Sequence, residues 1–379
     1  MTGASPRQIR IPASLLPRDG RFGSGPSKVR LEALQGLAAT GSGYLGTSHR
    51  QSTVKSVVAR LRRGLTELFR LPDGYEVVLG NGGTTVFWDV AILCLIERRS
   101  QHLSFGEFSA RFAAAADAAP HLEEPDVIEG LAGTHPQSQG RADIDVYALT
   151  HNETSTGVMM DIARPDGKAE TGALVAVDAT SAAGGLRVDP TQFDAYYFAP
   201  QKCFGADAGL WIALLSPAAI DRVGHLRATG RWVPASLDLG IALENSRQDQ
   251  TYNTPALATV WLLASQVSWM LEKGGLDWCA SRCDRSAGLL YGWAESSSYA
   301  RPFVAKPDER SSVVGTIDLD DRIAAATVSR VLRANGIVDT ESYRKLGRNQ
   351  LRIGMFPAVD PDDVEALTHC IDYVAERLA

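Results

Sequence analysis

The sequence predicts an α/β protein: a large domain on a mostly parallel sheet with helices on both faces, then a smaller α+β domain. Three observations predict it. Short apolar runs recur between Tyr75 and Leu214, separated by helical or glycine-rich stretches, as in successive βα units. Polar residues suited to chemistry stand at the ends of those runs, the edge at which open α/β sheets bind ligands. Beyond about residue 270 the pattern changes to two strand-like runs mixed with two helical ones.

Taken in order, residues 1–28 read as an irregular N-terminal arm, broken by Pro6, Pro12, Pro17, Gly20, Gly23, Gly25 and Pro26. "VRLEALQGLAAT" and "VKSVVARLRRGLTELFRL" carry apolar residues at helical spacing. "YEVVLG", "DVYALT", "ALVAVD", "AYYFAP" and "GLWIALL" are the strand-like runs of the large domain, expected to span 29–268. "PALATVWLLASQVSWMLE" closes that domain as a helix, and a second helix covers Trp278 to Trp293 after "KGGLD". In the small domain, 269–379, "SSVVGTIDL" and "QLRIGMF" read as strands, while "RIAAATVSRVLRANG" and "PDDVEALTHCIDYVAERLA" read as helices.

Composition narrows the function. With 38 basic against 44 acidic residues the net charge is −6, which argues against a nucleic-acid partner. No run reaches ~18 uninterrupted apolar residues, so no membrane span is expected. The opening "MTGASPRQIRIPASLLPRDG" lacks an apolar core, so no secretory signal is expected. Five scattered cysteines fit a reducing cytoplasm better than a disulfide framework, and no metal is expected.

Four stretches carry chemistry together. In "LGNGGTTVFWDVAIL" a strand runs into Gly80, Gly82 and Gly83, and a helix begins at Thr84 and Thr85. Free N–H groups and the helix dipole there attract an anion. Taken alone, a glycine turn with a threonine cap explains it as well. In "ALVAVDATSAAGG" Asp178 ends a strand, where a carboxylate can hold a protonated ring nitrogen or simply cap a helix. In "YFAPQKCFG" Lys202 also ends a strand; partly desolvated, such a lysine becomes a nucleophile towards carbonyls, whereas most lysines are merely exposed. In "LTHNETSTG" Asn152 and Thr154 could reach a ring hydroxyl, or serve only the turn. An anion loop, then Asp178, then Lys202 is the set that pyridoxal phosphate needs: a phosphate cradle, a carboxylate for its ring nitrogen and a Schiff-base lysine.

At this point the sequence resembles the phosphoserine aminotransferases of actinobacteria, class V members of the fold-type I pyridoxal-phosphate enzymes. The likeness runs from "GSGPSKV" to "QLRIGMFPAV" and rests on "TSHRQ", "GNGGTT", "HNETSTG", "YYFAPQK", "QTYNTPA" and "YRKLGRNQLR" together. It implies a seven-stranded sheet, Lys202 as the Schiff-base lysine with Gln201 beside it, and Asp178 on the ring nitrogen. It implies phosphate on Thr84 and Thr85, and Thr154 near the ring hydroxyl. Phe108 falls where many relatives stack a tryptophan on the ring; it keeps the face but loses the indole donor. Asn253 and Thr254 match a segment reaching the phosphate from the partner subunit of a homodimer with sites at the interface. His49 and Arg50 match the grip on a distal phosphate or carboxylate. Arg352 matches the fork onto the α-carboxylate, and Arg344 assists at the phosphate. Tyr343 replaces a histidine of many relatives, and two extra residues separate Arg344 from Arg352. Arg231 and Trp232 are expected near the same pocket.

The implied reaction is amino transfer between L-glutamate and 3-phosphooxypyruvate, giving O-phospho-L-serine and 2-oxoglutarate in serine biosynthesis. Some relatives also serve pyridoxine synthesis. An alanine–glyoxylate or serine–pyruvate aminotransferase would leave His49, Arg50 and Arg344 without a distal anion to hold. A cysteine desulfurase would want its cysteine on a mobile loop, not at Cys203. A non-catalytic phosphate-binding protein of this fold would leave Lys202 and Asp178 unexplained.

Overall fold

The computed structural model describes residues 9–165 and 172–378; the first eight residues of the arm lie outside it. Two helices open the chain, α1 (Leu31–Ala39) and α2 (Ser52–Leu68). In α2 the buried residues Val54, Val58, Leu61, Leu65 and Leu68 recur every three or four positions, so one stripe faces the core.

The strands β1 (Glu76–Asn81), β2 (Ser100–Ser104), β3 (Asp126–Glu129) and β4 (Val146–Thr150) follow, with α3 (Thr84–Cys94) and α4 (Glu107–Asp117) between them. After the short hairpin β5 (Asn152–Glu153) and β6 (Val158–Met159) come β7 (Leu174–Asp178), β8 (Ala195–Phe198) and β9 (Leu210–Leu215). The large sheet has seven strands in the order β1-β9-β8-β7-β4-β2-β3. Strands β8, β7, β4, β2 and β3 are parallel neighbours, while β9 runs antiparallel to both β1 and β8.

Alternation along these strands divides two cores. Val175 and Val177 of β7, Tyr147 and Leu149 of β4, and Tyr196 and Phe198 of β8 pack on the face that α2 covers. Leu174 and Ala176, Val146 and Ala148, and Ala195 and Tyr197 pack on the face covered by α3 and α4. That face also carries α5 (Pro217–Ala228) and α6 (Leu239–Ser246). Strand β2, "SQHLS", is polar yet buried, because its groups find partners: Ser100 Oγ with His102 Nε2 at 2.9 Å, and Gln101 Nε2 with Asp126 Oδ2 at 2.8 Å.

Helices α7 (Leu257–Lys273) and α8 (Gly275–Ser296) lead to a three-stranded antiparallel sheet of β10 (Ala300–Pro302), β11 (Val314–Leu319) and β12 (Gln350–Gly354). Helices α9 (Ala325–Ala334) and α10 (Pro361–Leu378) complete its core. Helix α8 serves both cores: Cys279 and Cys283 pack with the large sheet, Leu290 and Ala294 with the small one.

The described part of the arm is irregular but docked. Ile9, Ile11 and Phe22 are buried in the small core. Backbone bonds tie Phe22 N to Val338 O at 3.3 Å and Gly354 N to Phe22 O at 2.7 Å. Among the described residues no helix is long and apolar enough to cross a membrane.

Candidate active site

The C-terminal ends of β4, β7 and β8 open into a cavity of about 250 Å³. Asp178, the last residue of β7, stands in register between Thr150 and Tyr197. Its side chain continues the row of Leu174 and Ala176 and therefore faces α3. Its Oδ1 accepts from Thr180 N at 2.9 Å and Thr180 Oγ1 at 2.5 Å; its Oδ2 accepts from Trp88 Nε1 of α3 at 3.0 Å. Burial pushes this carboxyl above the usual range, and the donors from Thr180 and Trp88 pull against it.

Lys202 arrives from the next strand. Beyond β8 the chain turns tightly: Gly205 N donates to Lys202 O at 3.0 Å, and Gly205 takes φ +48°, a conformation few residues other than glycine accept. The side chain is buried, and its Nζ donates to Ser24 O of the arm at 2.6 Å. Burial and then the nearby Arg352 lower its pKa to about 8, with Cys203, Asp178 and Glu153 pulling the other way. Amine and carboxyl are thus each driven towards the neutral form.

The arm holds this lysine from behind. Ser27 Oγ donates to Lys202 O at 2.5 Å and Ser27 N to Gln201 O at 2.9 Å. A side chain at Gly25 would occupy the space of the Lys202 methylenes. The motif "GSGPS" is therefore part of the site's wall rather than a spacer.

At the mouth of α3, Gly82 has φ +111°, and Gly83 caps the helix without any side-chain hydrogen bond. The first-turn N–H groups face the cavity beside buried Thr84 and exposed Thr85, with no acidic residue in that turn. A helix start of this kind suits an anion.

On the far side Thr154 Oγ1 and Asn152 Nδ2 each donate to Ser181 Oγ at 2.8 Å. Phe108 lines the wall from the start of α4. That helix start is fixed by buried Glu153, which accepts from Phe108 N at 3.1 Å, Ser109 N at 2.9 Å and Ser155 Oγ at 2.7 Å. Arg352 of β12 reaches from the small sheet: its Nη1 donates to Thr154 O at 3.3 Å, and its guanidinium lies 5.3 Å from the Tyr343 ring centre.

Several buried polar atoms in and beside this cavity lack partners among the described residues, including Asn152 Oδ1, Gln201 Oε1 and Arg352 Nε. A folded chain rarely leaves such atoms unpaired unless a ligand completes them. Unpaired amide oxygens at Asn152 and Gln201, the Asp178 carboxylate, the Lys202 amine and an uncapped helix start around one cavity fit a phosphorylated pyridine aldehyde.

Of the expected residues, Thr84, Thr85, Phe108, Thr154, Asp178, Gln201 and Lys202 meet around this one cavity. Four others meet elsewhere. His49 Nδ1 and Thr254 Oγ1 are 3.1 Å apart, with Arg50 and Asn253 exposed beside them in the chain, and none of the four lines the cavity. Burial, then the neighbouring Arg50, lowers the His49 pKa. Thr254 O accepts from Asn81 Nδ2 at 3.0 Å, so this patch lies behind the glycine turn. Arg344 is exposed in a short 3₁₀ turn.

The expectation for Arg231 and Trp232 is corrected. Arg231 Nη1 donates to Ile96 O and its Nη2 to Glu97 O, both at 2.6 Å, tying down the carbonyls that follow α3, and Trp232 is exposed. A guanidinium fits the unpaired carbonyls at a helix end, so its place is structural.

Residues 26–367 match the model of the class-V aminotransferases. The chain belongs to that family. Class-V aminotransferases carry out amino transfer on pyridoxal phosphate, and the site described here has the donors that cofactor needs. A phosphoserine aminotransferase of a Nocardioides species is 59% identical over 370 residues, covering 98% of this chain and 99% of that one. The crystal structure of a phosphoserine aminotransferase from Cytophaga hutchinsonii superposes with a TM-score of 0.85 at 26% identity, over 93% of this chain and 99% of that chain. An aspartate aminotransferase from Thermus thermophilus gives 0.77 at 22% identity, over 94% and 99%, and shares the fold. This class-V chain is thus a fold-type I enzyme, as the family resemblance implied.

Sequence reasoning missed four site residues. Trp88, Ser181 and Glu153 sit inside motifs that had drawn attention, but their partners lie 27 to 90 positions away, beyond any local pattern. Ser24 acts through its carbonyl, which no side-chain motif reveals. For Trp88 a signal existed: four residues after Thr84, it falls on the same helix face as the presumed anion site.

Proposed function

We propose that this class-V enzyme is a phosphoserine aminotransferase, moving the amino group between L-glutamate and 3-phosphooxypyruvate. The observation that carries the reading is the meeting, in one cavity, of buried Lys202, Asp178 and the uncapped start of α3 with Arg352 at the rim. The 59% identity to a phosphoserine aminotransferase along nearly the whole chain supports the choice among fold relatives.

Bound pyridoxal phosphate supplies an aldehyde that condenses with amines and a ring that accepts electrons. The chain's own residues do the rest. The α3 N–H groups with Thr84 and Thr85 hold the phosphate. Asp178 holds a proton at the ring nitrogen, and Thr154 with Asn152 meets the ring hydroxyl through the Ser181 network. Phe108 covers one face of the ring and keeps water out. Gln201 completes the pocket with its unpaired Oε1. Lys202 Nζ is the base that takes the Cα proton of the amino donor. Lowered to about 8, it loses its own proton far more readily than an ordinary lysine. Arg352, with its unpaired Nε, forks onto the substrate α-carboxylate.

The second half of the reading concerns the distal anion. His49, Arg50, Asn253 and Thr254 form a separate patch, which is the arrangement expected if each chain serves its partner's cavity in a homodimer. Asn253 and Thr254 then complete the phosphate cradle, and His49 and Arg50 grip the γ-carboxylate or phosphate, with Arg344 assisting. Such a cationic rim favours acceptors with a distal anion over pyruvate or glyoxylate. The test is a comparison of kcat/KM for 3-phosphooxypyruvate, pyruvate and glyoxylate with glutamate as donor. The reading expects the phosphorylated acceptor to lead by at least about 10², the worth of two charge-assisted contacts. Equal values for pyruvate would overturn it.

A further inference from the structure

The Asp178 carboxylate is asymmetric. Oδ1 receives two donors from Thr180, a residue two positions on in the same loop. Among the described residues Oδ2 receives one, the indole N–H of Trp88 at 3.0 Å, from a different element. The other neighbours on that face do not supply a second. Tyr197 stands in register beside Asp178, but its buried hydroxyl lies close to the Trp88 N–H and, among the described residues, donates nothing to the carboxylate. His151 gives its backbone N–H to the Asp178 carbonyl at 3.0 Å and pairs its ring with the Tyr196 hydroxyl on the opposite face.

Trp88 is itself fixed. It is buried and stacked on Phe112 of α4, with ring centres 6.0 Å apart and planes 13° apart. Helix α3 carries it four residues beyond Thr84, so one helix places both the phosphate cradle and the donor to Oδ2. Trp88 also lines the cavity. The indole that Phe108 lacks is therefore present in the same cavity, on another helix, turned towards the carboxylate.

We propose that Trp88 is a positioning residue: its N–H holds the plane of the Asp178 carboxylate and keeps it anionic, so that the remaining lone pair of Oδ2 meets the cofactor's ring nitrogen. This deepens, and rests on, the reading of Asp178 as the partner of that nitrogen. A buried carboxylate with one oxygen left without a donor would drift towards protonation, and a protonated carboxyl cannot hold a pyridinium proton. Removing the N–H should therefore weaken ring protonation while leaving Lys202 and the phosphate cradle in place.

The experiment replaces Trp88 by benzothienylalanine, which keeps the shape and exchanges N–H for sulfur, alongside Trp88→Phe and Asp178→Asn. Pyridoxamine 5′-phosphate is the probe, because its binding does not need the Lys202 amine. Its dissociation constant and the ¹⁵N resonance of its labelled ring nitrogen are read at one pH. The expected result is binding about tenfold weaker in both Trp88 variants, the loss of one hydrogen bond to a charged group. The ring resonance should move towards the unprotonated position in both. Wild-type affinity and resonance in the benzothienylalanine protein, with weakening confined to Trp88→Phe, would assign Trp88 to packing alone and overturn the proposal. If Asp178→Asn also leaves the resonance unchanged, the pairing of Asp178 with the ring fails, and the present proposal fails with it for that separate reason.

Discussion

The cavity below β7 and β8 and the His49–Thr254 patch differ in how much of their polar chemistry the fold buries. In the cavity, Lys202 and Asp178 are buried, and both are pushed towards their neutral forms. In the patch His49 is buried, but Arg50, Asn253 and Thr254 are exposed, and none of the four lines the Lys202 cavity. One chain is enough to make a reactive amine, because desolvation needs only the fold around it. Solvated charges such as Arg50 bind an anion weakly unless a second surface closes over them. On the proposed reading the work divides accordingly: chemistry would belong to the single chain, and selection of the acceptor to a pair.

The strongest way to break that division is inside the cavity. Lys202→Ala should lower turnover by on the order of 10⁴ or more and abolish the visible absorbance of the loaded protein. A variant that kept both would remove Lys202 from the chemistry. Asp178→Asn comes next, with kcat lower by about 10² while Lys202 still captures the aldehyde. Unchanged turnover in steady-state assays would count against the pairing with the ring.

At the rim the effects should move from kcat to KM. Arg352→Lys keeps the charge but loses the fork, and should raise KM for glutamate and for the phosphorylated acceptor by about tenfold, with kcat less affected. A pure kcat loss would place Arg352 in the chemistry instead. The smallest effect is expected in the patch: Arg50→Ala should raise KM for the phosphorylated acceptor about fivefold, and less at high salt. Hybrid dimers sharpen the point. Mixing Arg50→Ala chains with Lys202→Ala chains should restore one wild-type site per hybrid if Arg50 acts across the interface, and none if it acts within its own chain.

How legible all this was in the sequence follows the same line. Strand ends and glycine turns are local, so Asp178, Lys202 and the Gly82–Thr85 turn could be read from short windows. The parallel strands β4, β7 and β8 were legible because buried strands are continuous apolar runs. Strand β2 was not, since its burial depends on Ser100–His102 and Gln101–Asp126 pairing that no window contains. Trp88 and Glu153 were hidden for the same reason: each acts on a partner from another element. The arm read only as irregular because its grip on Lys202 is made by backbone atoms and by glycines that must stay small. Arg231 misled because a guanidinium near glycine and proline looks the same whether it meets a substrate or the carbonyls after a helix.

The central claim is that burial by one chain lowers the Lys202 pKa to about 8, so that its neutral fraction near physiological pH far exceeds that of an ordinary lysine. The folded pKa is depressed, so the reactive amine should be scarce well below pH 8 and nearly complete well above it. The direct measurement is the rate at which the apoprotein captures pyridoxal phosphate as a function of pH, followed by its visible absorbance. A rise with a midpoint near 8, lost in Lys202→Ala, is the expected result. A rate still climbing towards pH 10.5, the ordinary lysine value, would contradict the claim.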